Sequence, residues 1–282
     1  MAKLKRAYIQ QPIIKGKVLF YPDAVGLRYW RRLQPIINSM LMETEREVKE
    51  LMTTPAAYWA GLPTQDASIS EQVKELLNRL TKKYLRIFDR DIESIVLNMM
   101  TGIDKASKAS LAGNISDMSS VTVSTDYFVS SMGEQFKALT QQNVSLFKTI
   151  PEVHFAKVES AVMDSIISGN GLKDLNPFFE QYTTGERNYA KNRAMDQTRK
   201  AYTSINMARM QKSGIKQFEW LHSHGSNAPR KLHEELSGKV FNIDEPPYIG
   251  TMYNERIYGY PGQLPNCRCM ARPIIDLSDD DD

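Results

Sequence analysis

The sequence predicts an α+β protein, mostly helical over its N-terminal two thirds, with a small α+β unit at the C-terminus. Three observations lead there. Apolar residues recur at helical spacing from about residue 23 to Gly214, with capping boxes and prolines where helices should begin. Beyond Gly214 the period shortens to strand-like alternation at 217–222, 240–242 and 268–275. Many turn formers of the last third lie between those segments.

Composition bounds the rest. Of 282 residues, 24% are charged and 41% apolar, which suits a globular chain with a sizeable core. A net charge of +3 is too small to argue for nucleic acid by itself. No run approaches the roughly 18 apolar residues that would span a bilayer, so no membrane partner is expected. The opening M-A-K-L-K-R-A-Y lacks the apolar stretch of a secretion signal. Two cysteines one residue apart form no disulfide framework, so a reducing cytoplasm is the expected place of synthesis.

Residues 1–22, punctuated by Pro12, Gly16 and Pro22, read as an extended arm that must pack along this protein or a neighbour. Residues 23–183 read as a helical region. Asp23 caps a helix to about Met52, which Pro35 should kink or split by removing a donor and crowding the preceding turn. The W-R-R-L at Trp30–Leu33 is better read as an exposed face beside a buried tryptophan than as a phosphate contact. Pro55, Gly61 and Pro63 mark a loop. Ser68 with Glu71 is a capping box for the clearest stripe in the chain, Val73 to Met100. Residues 113–125 are polar and loop-like. Helical spacing resumes from Asp126 to Ile150, Pro151 fits the first turn of another helix, and Gly169 ends it. His154 reads as a packed histidine rather than a ligand. A short helix follows around Leu172–Tyr182.

Thr183 with Glu186 is a second capping box, so a C-terminal domain is expected over 184–275. Its opening helix runs to Gly214 and carries a small-residue stripe of Ala190, Ala194, Ala201, Ile205 and Ala208. Arg187, Lys191, Arg193, Arg199, Lys200 and Arg209 lie on its other faces. They could meet phosphates, although a solvated face is the default. Pro229–Leu236 should be a short helix and Ile243–Asn266 a long irregular excursion. Residues 276–282 end in S-D-D-D-D, an acidic tail expected to be disordered.

The compact chemistry sits in Trp220–Pro273, which holds three of the four histidines and both cysteines. His222, His224, His233, Cys267 and Cys269 are zinc-ligand candidates, since a tetrahedral site wants four such donors. The C-x-C spacing is tighter than in common zinc fingers, yet residues two apart on a strand share a face and could reach one ion. The structural alternative is two partly buried cysteines beside a hydrogen-bonded histidine, with no cofactor. Nucleophilic catalysis would pair a cysteine with His233, but no third orienting residue is identifiable and no complete catalytic constellation emerges. Glu234 and Glu235 look like helix surface.

Four segments together resemble the phage Mu F-like, or head morphogenesis, family of minor head proteins of tailed phages. They are R-A-M-D-Q-T-R-K-A-Y at 193–202, G-I-K-Q-F-E-W at 214–220, A-P-R-K-L-H-E-E-L-S-G-K-V-F at 228–241 and P-N-C-R-C-M-A-R-P at 265–273. The resemblance covers about residues 185–275. It singles out Trp220, Arg230, His233, Gly238, Cys267, Arg268, Cys269 and Pro273 as a structural motif. Where many members have D-x-R-T-R, this chain has Ser226-Asn227-Ala228-Pro229-Arg230, so no catalytic role is carried over.

The resemblance implies a minor capsid protein of the bacteriophage virion, in the head interior or at the portal vertex, rather than an enzyme. The implied partners are the portal protein, the major capsid protein or scaffold, and packaged double-stranded DNA. The implied roles are capsid assembly and DNA packaging. Two rivals from other classes remain: a small enzyme or toxin-like effector centred on Cys267, Cys269 and His233, and a zinc-stabilised DNA-binding module.

Overall fold

The structure is a computed structural model that describes residues 13–53, 68–119, 133–225 and 228–276. Its element order begins with β1 (Ile13–Lys15), α1 (Asp23–Met52), α2 (Ile69–Ser119), α3 (Gly133–Lys148), α4 (Ile150–Ser168) and α5 (Leu172–Lys212). Then come β2 (Gln217–Leu221), α6 (Lys231–Leu236), β3 (Val240–Asn242), β4 (Tyr248–Met252), β5 (Glu255–Tyr258) and β6 (Met270–Asp276). Long helices followed by a small strand-containing region make the fold α+β, as the sequence predicts. The chain divides into a helical unit, residues 28–98 and 140–194, and a mixed unit, residues 1–27, 99–139 and 195–282.

In the helical unit, α1 and the first part of α2 are amphipathic in the predicted way. Leu33, Ile37, Met40, Leu41 and Val48 of α1 are buried, as are Val73, Leu77, Leu80, Tyr84, Phe88 and Ile92 of α2. Trp30 is buried while Arg31 and Arg32 are exposed, the arrangement expected of W-R-R-L. Ser68 and Glu71 form the reciprocal capping box: the Ser68 N–H donates to Glu71 at 2.8 Å and the Glu71 N–H to Ser68 Oγ at 3.3 Å. The rim between α1 and α2 is electrostatic. Lys83 bridges Glu43 at 2.6 Å, Arg79 pairs with Glu47, and the Tyr84 hydroxyl donates to Glu43. Pro151 sits in the first turn of α4, and Gly169, with φ 72°, closes it in the left-handed conformation.

The mixed unit is built on a four-stranded antiparallel sheet in the order β1-β6-β2-β3. Ile14 faces Ile275, Phe218 faces both Pro273 and Phe241, and Trp220 faces Ala271. The C-terminal part of α5 is buried nearly all round, from Ala201 to Met210 except Ser204, which marks it as the central helix of this unit. The arm of residues 13–22 packs along its own protein. Beyond β1, the Gly16 N–H donates to the Pro273 carbonyl at 2.9 Å and the Leu19 N–H to the Ala271 carbonyl at 2.9 Å.

Several expectations are corrected. α1 runs through Pro35 without splitting. α2 reaches Ser119, so residues 113–119 are helical rather than loop; at 51 residues it is about 75 Å long. Its polar end is held by the arm: the Lys17 N–H donates to Asn114, and Lys17 Nζ pairs with Asp117 at 2.6 Å. No helix begins at Thr183. α5 is continuous there, with Thr183 buried inside it and Glu186 paired with Lys157 of α4 at 2.8 Å.

The stretch 243–266 contains the β4–β5 hairpin. Its turn residues Tyr253 and Asn254 have φ 52° and 65°, the primed geometry usually signalled by Asn-Gly. Residues 1–12, 54–67 with the loop expected there, 120–132, Ser226, Asn227 and 277–282 with the expected acidic tail lie outside the described residues.

Candidate functional site

The site gathers where α6, the segment before β6 and the end of β2 converge. Arg230 opens α6, and its guanidinium donates to the Pro265 carbonyl at 2.9 Å, tying the helix start to the P-N-C-R-C segment. One turn into α6, His233 points inward and is 2% exposed. Cys267 and Cys269 are 3% and 2% exposed, whereas Arg268 between them is exposed, the in-out-in alternation of extended chain.

The imidazole of His233 is locked at both nitrogens. Nε2 lies 3.0 Å from the Ile249 carbonyl, and a carbonyl can only accept, so the proton sits on Nε2. Nδ1 is thereby left with its lone pair, 3.4 Å from Cys267 Sγ and 3.6 Å from Cys269 Sγ. Trp220, fully buried, closes the site with its ring edge-on to His233 at 5.2 Å between centroids. The contact from Cys269 draws the Cys267 thiol down, with His233 adding to the effect and burial opposing it. The same contact pushes Cys269 up, reinforced by burial.

The remaining motif residues are structural in visible ways. Gly238 follows α6 with φ 80°, a conformation that favours glycine, and its N–H donates to the Trp220 carbonyl at 2.8 Å. Pro273 lies in the central strand β6 and offers its carbonyl to the arm. His222 and His224 are not part of the cluster. Their Nδ1 atoms face each other at 3.3 Å on the outside, while among the described residues the group of potential ligands is His233, Cys267 and Cys269, within 4.8 Å of one another.

The basic residues of α5 do not form an open cationic stripe. Arg209 is fully buried, bonded to the Asp104 carbonyl at 3.1 Å and ion-paired with the Asp104 carboxylate, so it presents no charge to a polyanion. Arg199 pairs with Asp23 at 3.4 Å and Lys200 with Asp196 at 3.1 Å. Arg187 donates to Asn38, and Arg193 lies over Tyr189 and donates to its hydroxyl. Lys191 is exposed.

Three residues that sequence reasoning did not single out hold the cysteine segment in place. Buried Asp196 accepts the Asn266 N–H at 2.9 Å, and burial raises its carboxyl. The Tyr21 hydroxyl donates to the Cys269 carbonyl, and burial pushes its pKa up. Gly262, with φ 83°, passes so close to the Tyr21 hydroxyl that a Cβ would lie 2.1 Å from it. Asp196 could have been found from its place in the Arg193–Tyr202 segment, and Gly262 from the Pro261-Gly262 turn signal. Nothing in the sequence marks Tyr21.

Residues 156–272 match the model of the family described as Phage Mu protein F like protein. This is the family the four sequence segments resemble, and the match takes in the whole cluster. A protein of Haemophilus influenzae (strain ATCC 51907 / DSM 11121 / KW20 / Rd), described as an "Uncharacterized protein", is 28% identical over 252 residues. The alignment covers 89% of this chain and 53% of that protein, so the chain spans about half the length of the relative. No solved structure matches. No helix among the described residues is long and apolar enough to cross a membrane.

Proposed function

We propose that this chain is a minor head protein of a tailed phage, a structural part of the virion that acts in head morphogenesis. The observation that carries the reading is the family match over residues 156–272, which encloses the His233–Cys267–Cys269 cluster. Burial supports a structural rather than an enzymatic character. All three polar groups of the cluster are closed off from solvent by Trp220 and by each other, which suits a fold-setting knot better than a turnover site. In this reading the helical unit docks on the portal or on the major capsid protein or scaffold, and the mixed unit serves as a rigid body.

Contact with packaged double-stranded DNA is a second reading, supported by two separate basic features, although Arg79 and Lys83 are already paired with Glu47 and Glu43. Lys191 is exposed on α5, and a cleft of about 580 Å³ on α2 is lined by Arg79, Lys82, Lys83 and Arg86 together with Glu75 and Asn78. Phosphate contacts release counterions, so such binding must weaken steeply with salt.

Affinity capture of the tagged chain from an infected lysate tests the docking reading. Co-purification of portal or capsid protein supports it, and capture of neither sinks it. Titration with duplex DNA at several salt concentrations tests the second reading, which a flat salt slope excludes.

A further inference from the structure

We propose that His233, Cys267 and Cys269 form a zinc-binding site that ties the C-terminal strand to α6. Distances carry the idea furthest. Zinc–sulfur bonds of about 2.3 Å and zinc–nitrogen bonds of about 2.0–2.1 Å at tetrahedral angles place nitrogen and sulfur roughly 3.5 Å apart. The observed separations of His233 Nδ1 from the two sulfurs are 3.4 and 3.6 Å. All three ligand atoms lie within 4.8 Å of one another.

The tautomer agrees. With its proton held on Nε2 by the Ile249 carbonyl, His233 turns the lone pair of Nδ1 towards the sulfurs. A backbone carbonyl behind the ring is the usual outer partner of a metal-binding histidine. A donor also backs one sulfur: the Gly262 N–H points at Cys267 Sγ at 3.4 Å. A dication would bind the nitrogen and both sulfurs, with the thiol protons leaving to solvent. The described residues supply three ligands, and a fourth donor such as water would complete a tetrahedral site. Because Cys267 is 34 residues from His233, the ion would close a long loop and constrain the unfolded chain.

The full-length chain, purified without chelators, should carry about one zinc per molecule by elemental analysis. Cobalt(II) in its place should give the intense near-ultraviolet absorption of thiolate-to-metal charge transfer. Stripping the zinc should lower the unfolding midpoint by roughly 5–15 °C, and re-addition should restore it. Cys269→Ser should lose the metal, while the double variant His222→Ala/His224→Ala should keep it. Cobalt substitution of the unaltered chain does not depend on how any variant folds. A chain that is metal-free as purified, shows no thiolate band with cobalt and does not shift its midpoint with zinc would overturn the proposal. So would zinc that persists in a folded Cys269→Ser and disappears in the His222/His224 double variant.

Discussion

Two histidines, one in each unit, are equally hidden at 2% exposure, yet their surroundings differ in kind. His154 of the helical unit has Tyr182 Oη 2.9 Å from Nδ1 and Thr44 Oγ1 3.1 Å from Nε2, with Phe155 edge-on to its ring. Hydroxyls can donate or accept, so every proton there finds a place without help. His233 of the mixed unit has a carbonyl at Nε2 and two sulfurs near Nδ1, a group of atoms close enough to hold one metal ion. Burial alone therefore says little about function; the chemistry of the partners separates a packed histidine from a site.

The contrast can be broken most forcefully at Trp220. Replacing this fully buried ring with alanine should cost about 3–5 kcal/mol by denaturant titration and release His233 from its packing. A loss below about 1 kcal/mol would mean that the knot does not organise the mixed unit.

His154 gives the next largest effect, through pH. Burial lowers its pKa to about 3 from an ordinary 6.5, so the unfolded chain takes up the proton first. Its contribution is complete above the unfolded value and falls by about 1.4 kcal/mol per pH unit as pH drops below it, until the folded form also protonates. Urea titrations near pH 7 and pH 5 should show His154→Gln losing about 2 kcal/mol less than the parent on acidification. Equal losses would contradict the assignment of a neutral, packed His154.

Ser68→Ala, which removes the capping box of α2, should cost about 1 kcal/mol. Lys83→Ala breaks a half-exposed pair with Glu43 and should sit at the low end of roughly 0.2–1 kcal/mol, shrinking further with salt. A larger loss for Lys83→Ala than for Ser68→Ala would make surface charge, rather than capping and packing, the mainstay of the helical unit.

The two units also differ in how far the sequence reveals them. The helical unit is written in local signals, because a 3.6-residue stripe and a capping box need only near neighbours. The stripe from Val73 to Met100, the Ser68–Glu71 box and the Pro151 start all read correctly. Where local signals failed, a distant partner had taken over. Asn114 is helical and accepts the Lys17 N–H of the arm, and Glu186 pairs with Lys157 rather than capping at Thr183. β3 was visible in the mixed unit, but the β4–β5 hairpin was hidden because Tyr253-Asn254 is not the usual turn pair. The grouping of His233 with the cysteines could be suspected from composition, and the outward placement of His222 and His224 could not. The Ile249 carbonyl that fixes the tautomer carries no side-chain signal at all.

The proposed place of this chain in a phage head is tested most directly by mass spectrometry of purified particles. Peptides of the chain should appear in both procapsids and filled heads produced by a lysate that expresses it, at a fixed ratio to the portal protein. Their absence from both particles, with the chain recovered only in the soluble fraction of infected cells, would contradict it.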